Sequence, residues 1–163
     1  MRNLHITPTL QGHRPDMTDV HPWKNNKIDQ DGAIKRTIGE PGPMGRILIR
    51  GEPGHDIIEE LYPEAGEPVI DKPGKGCFYA TDLATILAAK SITTLIVMGV
   101  TTEVCVHTTI REANDRGFHC IAVSDACASY IDEFHEVGLR MISAQGGIFG
   151  SVADSDSILA ALV

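Results

Sequence analysis

The stretch TTLIVMGVTTEVCVHTTIREANDRGFHCIAVSD, residues 93–125, decides the architecture. Residues 93–100 form a continuous apolar run of strand length, the pattern of a strand buried on both faces. Residues 103–116 place Val106, Ile110 and Ala113 on one stripe and stop at Gly117, as an amphipathic helix closed by glycine does. A second strand pattern follows at 118–125. Strand, helix and strand in this order make a βαβ unit, and such units build a parallel sheet covered by helices.

The pattern extends outward from there. Residues 81–91 read as a helix, with Leu83, Ile86, Leu87 and Lys90 at helical spacing and Thr81 as its N-cap. Residues 133–145 read as another helix, 146–152 as a strand-like run and 156–163 as a terminal helix. The first part of the chain is different. Residues 8–55 carry most of the prolines and many glycines, and only 4–7 and 46–50 suggest short strands. Residues 55–62 suggest a short amphipathic helix, and 68–71 a β-rich run between turns. The expectation is one α/β domain over 1–163, irregular over 8–55 and built of regular βα units over 66–163.

Composition narrows the function classes. The chain has 163 residues, 42% of them hydrophobic and 22% charged, with a formal net charge of −8. That acidic balance disfavours nucleic acid and anionic membranes as partners. No apolar run approaches the roughly 18 residues that span a bilayer. The first residues show no export signal, so a cytoplasmic setting is expected. Four cysteines, Cys77, Cys105, Cys120 and Cys127, form no CxxC pair and are too sparse for a disulfide scaffold.

One of the four stands in a chemically loaded place. Open parallel sheets gather chemistry at the carboxyl ends of their strands, and Cys105 lies five residues beyond Val100 in the first turn of the next helix. Unpaired amides and the helix dipole there favour an anion, hence a thiolate. Thr101 and Thr102 are placed to cap that helix, and the amides of the turn to hold an oxyanion. Lys72 follows another predicted strand at its carboxyl end, and Lys75 lies three residues on, in a Pro-Gly turn suited to a polar or anionic substrate.

These residues carry a resemblance. DKPGKGCFYATDL (71–83) followed by GVTTEVCVHTTIREANDRG (99–117) resembles the isochorismatase-like cysteine hydrolases, and within them the biuret hydrolase type of amidohydrolase. GHRPD (12–16), GEPGHDIIEELYP (51–63), VIDKPGKG (69–76) and QGGIFGSV (145–152) support it in order along the chain. The resemblance implies a three-layer αβα fold with a doubly wound, mostly parallel sheet. It also implies hydrolysis of C–N bonds in a small amide or urea-like substrate through a covalent intermediate on Cys105, without a cofactor. By the same resemblance Lys72 supports the thiolate, and the backbone amides of Thr101 and Cys105 form the oxyanion hole across a cis peptide after Val100. Lys75, Phe78 and Gln145 contact substrate, and the chain assembles as a homo-oligomer, dimer or tetramer.

The family's general base is an aspartate at the end of its first strand, and this chain is expected to begin in the second strand, without that strand and the helix after it. Asp16, Asp29, Asp31 and Asp71 do not follow an apolar strand in the required way, so none is assigned. Two alternatives follow: an impaired relative serving as an oligomer subunit or binding module, or an isochorismatase or nicotinamidase-like hydrolase. Asp125 reads as a turn or capping residue. His5, His13 and His21 lack the spacing of a metal site, and none is expected. His107, two residues past Cys105, faces another side of the helix and is a poor general base.

Overall fold

The computed structural model describes residues 4–25 and 38–162. These form two compact units, one of residues 6–73, the other of residues 74–163 together with the first five.

In the unit of residues 6–73, strand β1 (Thr9–Gln11) pairs in parallel with β4 (Ile70–Lys72), Gln11 opposite Lys72. Between them lie the short helix α1 (Pro22–Asn25) and a minimal hairpin of β2 (Pro41–Gly42) and β3 (Gly45–Arg46). Three local expectations are corrected here. Residues 4–7 belong to no strand, and the strand starts at Thr9. The strand expected over 46–50 stops at Arg46, because Leu48 takes a positive φ of 55° and the chain turns. The helix expected over 55–62 is two separate 3-10 turns, Pro53–His55 and Glu59–Leu61, interrupted by extended residues at Asp56 and Ile58. Two prolines, at 53 and 63, bracket a stretch too short to nucleate a helix unaided.

The other unit carries the regular pattern. Helix α2 (Leu83–Ala89) leads into β5 (Thr94–Val100); a π-helical turn (Thr102–Val106) opens α3 (His107–Asp115). Strand β6 (His119–Ala128), helix α4 (Asp132–Gly147), β7 (Ser151–Ala153) and α5 (Ser155–Leu162) complete it. All three strands run parallel in the order β5-β6-β7, as βαβ units demand. Ile110, Ala113, Cys120, Ala122 and Ile142 are wholly buried where α3 and α4 cover the sheet.

The burial of β5 departs from expectation. Within this sheet it is an edge strand, and Met98 and Val100 are 57% and 69% exposed. An unbroken apolar run reports that a strand is apolar, not that both its faces are covered. A register shift between Val97 and Gly99 bends the strand's end, with Gly99 at φ 126°, where a side chain would be strained.

Candidate functional site

Cys105 sits in the π-helical turn that leaves the carboxyl end of β5. The turn is wide because the Thr101 carbonyl accepts from both Val104 N (3.2 Å) and Val106 N (3.3 Å). Such single π turns inside helices recur at working sites. The Val100–Thr101 peptide is cis. Cys77, Cys120 and Cys127 are buried, whereas Cys105 is half-buried; burial pushes the thiols of Cys120 and Cys127 up.

The threonines behave differently from expectation. Neither side chain caps the turn. The Thr102 hydroxyl, fully buried, is instead hydrogen-bonded to His135 Nδ1 on α4 at 2.8 Å. Gly138, one turn along α4, lets that helix approach the turn: a methyl there would stand 3.3 Å from Thr102 Cγ2. Helix α4 thus backs the segment that presents Cys105.

On its other side the turn is tied to residues 76–78. Thr109 Oγ1, one helical turn past Cys105, donates to the Cys105 carbonyl at 2.7 Å and accepts from Cys77 N at 3.3 Å. Glu112 Oε2 accepts from Phe78 N at 3.3 Å. Phe78 is itself buried against Phe118, and the Arg116 guanidinium lies 4.7 Å over its ring. That packing occupies the ring expected to meet substrate. Lys75 is half-buried just before this turn. Gln145 is exposed where α4 breaks; it adopts φ 53°, and Ala144 and Gly146 beside it are also non-helical. Lys75, Phe78, Thr101, Cys105 and Gln145 therefore belong to one unit.

Lys72 belongs to the other. It ends β4 with only 3% of its surface exposed, and its carbonyl accepts from Gly12 N at 3.1 Å. Next to it Asp71 faces Arg50 Nε (3.6 Å) and His55 Nε2 (3.9 Å). Asp16 caps its own turn by accepting from Thr18 N and Oγ1. Asp29 and Asp31 lie outside the described residues. Asp125 lies within β6 rather than in the turn expected after residue 125; it accepts from Ser155 N at 2.8 Å at the start of α5, and the Ser155 hydrogen bonds hold its carboxyl below the usual range. Among the described residues no three His, Cys, Asp or Glu side chains converge as a metal site would require.

A cleft of about 500 Å³ lies along the opposite face of the helix, lined by Glu103, His107, Arg111, Phe134 and Met141 among others. Positions 103, 107 and 111 make one stripe, and 105, 109 and 112 another, so the cleft does not include Cys105. His107 is buried there, its Nδ1 accepting from Arg111 Nε at 2.9 Å. Burial, and then the Arg111 charge, push its imidazole below the ordinary value.

Comparison with known proteins places this arrangement. The family model for the Isochorismatase domain matches residues 15–154. The chain belongs to the isochorismatase family. Among its relatives, the ureidoacrylate amidohydrolase RutB of Serratia proteamaculans is 31% identical over 146 residues, covering 83% of this chain and 58% of that protein. This chain thus spans less than two thirds of that relative's length. An isochorismatase-like hydrolase from Alkaliphilus metalliredigens superposes with a TM-score of 0.75 at 29% identity, over 98% of this chain and 74% of that one. N-carbamoylsarcosine amidase from Thermoplasma acidophilum superposes with a TM-score of 0.68 at 25% identity, over 94% and 74%. The fold is therefore the isochorismatase-like α/β fold, with mostly parallel strands and covering helices. Sequence reasoning found the family and proposed its thiol. It missed Thr109, Glu112 and His135, whose partners lie about thirty residues away and leave no local pattern.

Proposed function

We propose that this chain supplies the nucleophile of a hydrolase that cleaves a C–N bond in a small amide or urea-like substrate. One observation carries the reading: of the four thiols, the half-buried one stands in the turn past the carboxyl end of a parallel strand. In the proposed reaction Cys105 Sγ attacks the carbonyl carbon and the C–N bond breaks. The thiol's proton leaves with the amine or ammonia, and water hydrolyses the resulting thioester to the acid and the free thiol. The amides of Thr101 and Cys105 take the oxyanion; Lys75 and Gln145 hold the substrate's polar ends. Phe78 acts from beneath, by fixing the turn next to Lys75.

The substrate class is supported by relatives whose names carry a carbamoyl or ureido nitrogen, ureidoacrylate amidohydrolase and N-carbamoylsarcosine amidase. Biuret, a carbamoylated urea, has the same group. The family match runs through both compact units, which supports treating 1–163 as one functional domain. Four free thiols suit a reducing, cytoplasmic setting. Self-association as a dimer or tetramer fits the exposed apolar side chains of Met98, Val100 and Tyr130.

The test is ammonia release from biuret, ureidoacrylate and a panel of simple amides, with Cys105→Ala as control. Turnover that falls at least ~10³-fold in the variant is expected when the nucleophile is removed. A folded protein that turns over none of these compounds, or activity that survives in Cys105→Ala, overturns the reading.

A further inference from the structure

The stripe of α3 that continues from Cys105 is occupied by groups that grip one short turn. Thr109 Oγ1 has a single proton, and its shortest contact, 2.7 Å, gives that proton to the Cys105 carbonyl. The same oxygen accepts from Cys77 N, so one buried hydroxyl joins the nucleophile's own residue to the turn beginning at Lys75. One helical turn on, Glu112 accepts from Phe78 N. The Glu112 carboxylate lies so close over Gly76 that a methyl group there would overlap it. Arg116 completes the row: its Nη1 donates to the Glu112 carbonyl at 2.8 Å and its guanidinium covers the Phe78 ring. Two successive amides of a loop are thus held by two side chains of the helix that presents Cys105.

The bond to the Cys105 carbonyl is the i−4 bond that helical threonines commonly make; what joins the turn to this helix is the Cys77 amide on the same oxygen. We propose that Thr109 and Glu112 are positioning residues that fix the Lys75 turn against Cys105, and so set where the amide substrate lies relative to the thiol. The proposal rests on the reading of Cys105 as nucleophile and Lys75 as substrate contact. Its effect is on geometry: substrate held away from the attacking sulfur loses the benefit of orientation, and a displacement of about 1 Å can cost up to ~10²-fold.

Two readouts test it. The first is steady-state kinetics on the best amide of the panel for Thr109→Val, Thr109→Ser and Glu112→Ala, with thermal midpoints recorded alongside. kcat is expected to fall about 10-fold in Thr109→Val and Glu112→Ala, with KM changing less. Thr109→Ser, which keeps the hydroxyl, should restore the wild-type value. The second readout needs no turnover: a short iodoacetyl N-hydroxysuccinimide ester should join Cys105 to Lys75, as read by peptide mass spectrometry. Its yield should fall several-fold in Thr109→Val and Glu112→Ala and recover in Thr109→Ser. If Thr109→Val fails to fold, Glu112→Ala and Thr109→Ser carry both comparisons. Variants that lose thermal stability while kcat and cross-linking stay at wild-type values would overturn the inference, as would absence of the cross-link in the wild type. If the wild type hydrolyses no amide while cross-linking still depends on Thr109, the functional reading falls and the positioning inference stands.

Discussion

At the scale of single residues, chemical type was legible and partnership was not. Cys105 is marked by its place after an apolar strand. Nothing local says that Thr102 will bond His135, or that Thr109 will serve both Cys105 and Cys77. His107 shows what burial adds. Its imidazole is held below the ordinary value of 6.5, first by desolvation and then by Arg111. The folded protein therefore resists protonation there, while the unfolded chain takes up the proton near pH 6.5. Its contribution to stability is complete above that value and is lost as pH falls from 6.5 through the lower folded value. Thermal melts between pH 7.5 and 5 should show a shallower acid decline for His107→Gln than for the wild type. Equal slopes would show that this histidine carries no such linkage.

At the scale of elements, periodicity served where a segment was long and half covered. The α3 pattern of Val106, Ile110 and Ala113 holds, and all three are buried. It did not show that the first turn is π-helical, because that depends on the Thr101 carbonyl taking two amides. The helix expected over 133–145 ends where α4 breaks, its backbone being non-helical at Ala144, Gln145 and Gly146. Short elements failed for a different reason. Residues 55–62 carry a helical pattern, but a helix that short needs packing to survive, and none of the residues in its two 3-10 turns is buried. Helix α5 depends on a partner from another element, since its opening amide at Ser155 is satisfied by Asp125 of β6. The Asp125 carboxyl is held low by those bonds, so this support is present above the ordinary carboxylate range and is lost as pH falls through the folded value. Asp125→Asn should speed hydrogen exchange at the first amides of α5 at neutral pH, with little change elsewhere. Unchanged exchange there would remove the cap from the account.

At the scale of the whole molecule, alternating strand and helix patterns were enough to give a parallel α/β architecture, and ordered motifs along the chain were enough to give the family. Apolar side chains at Met98, Val100 and Tyr130 remain exposed on one copy. Light scattering on the purified protein should accordingly report a mass of two or four chains, and a monomer at micromolar concentration would count against the proposed assembly. Sequence by itself determined the alternation of strand and helix from residue 81 onward, although the run expected over 146–152 is a strand only from Ser151, and which thiol stands at a strand end. These follow from local periodicity and from the fixed direction of a βαβ crossover. Only the tertiary structure decided that β5 is an edge strand, that Thr109 and Glu112 clasp the turn after Lys75, and that His107 faces a cleft apart from Cys105. Each of those depends on residues far apart in the chain meeting in space, and hydrogen bonds and burial between distant segments have no period that a linear pattern can record.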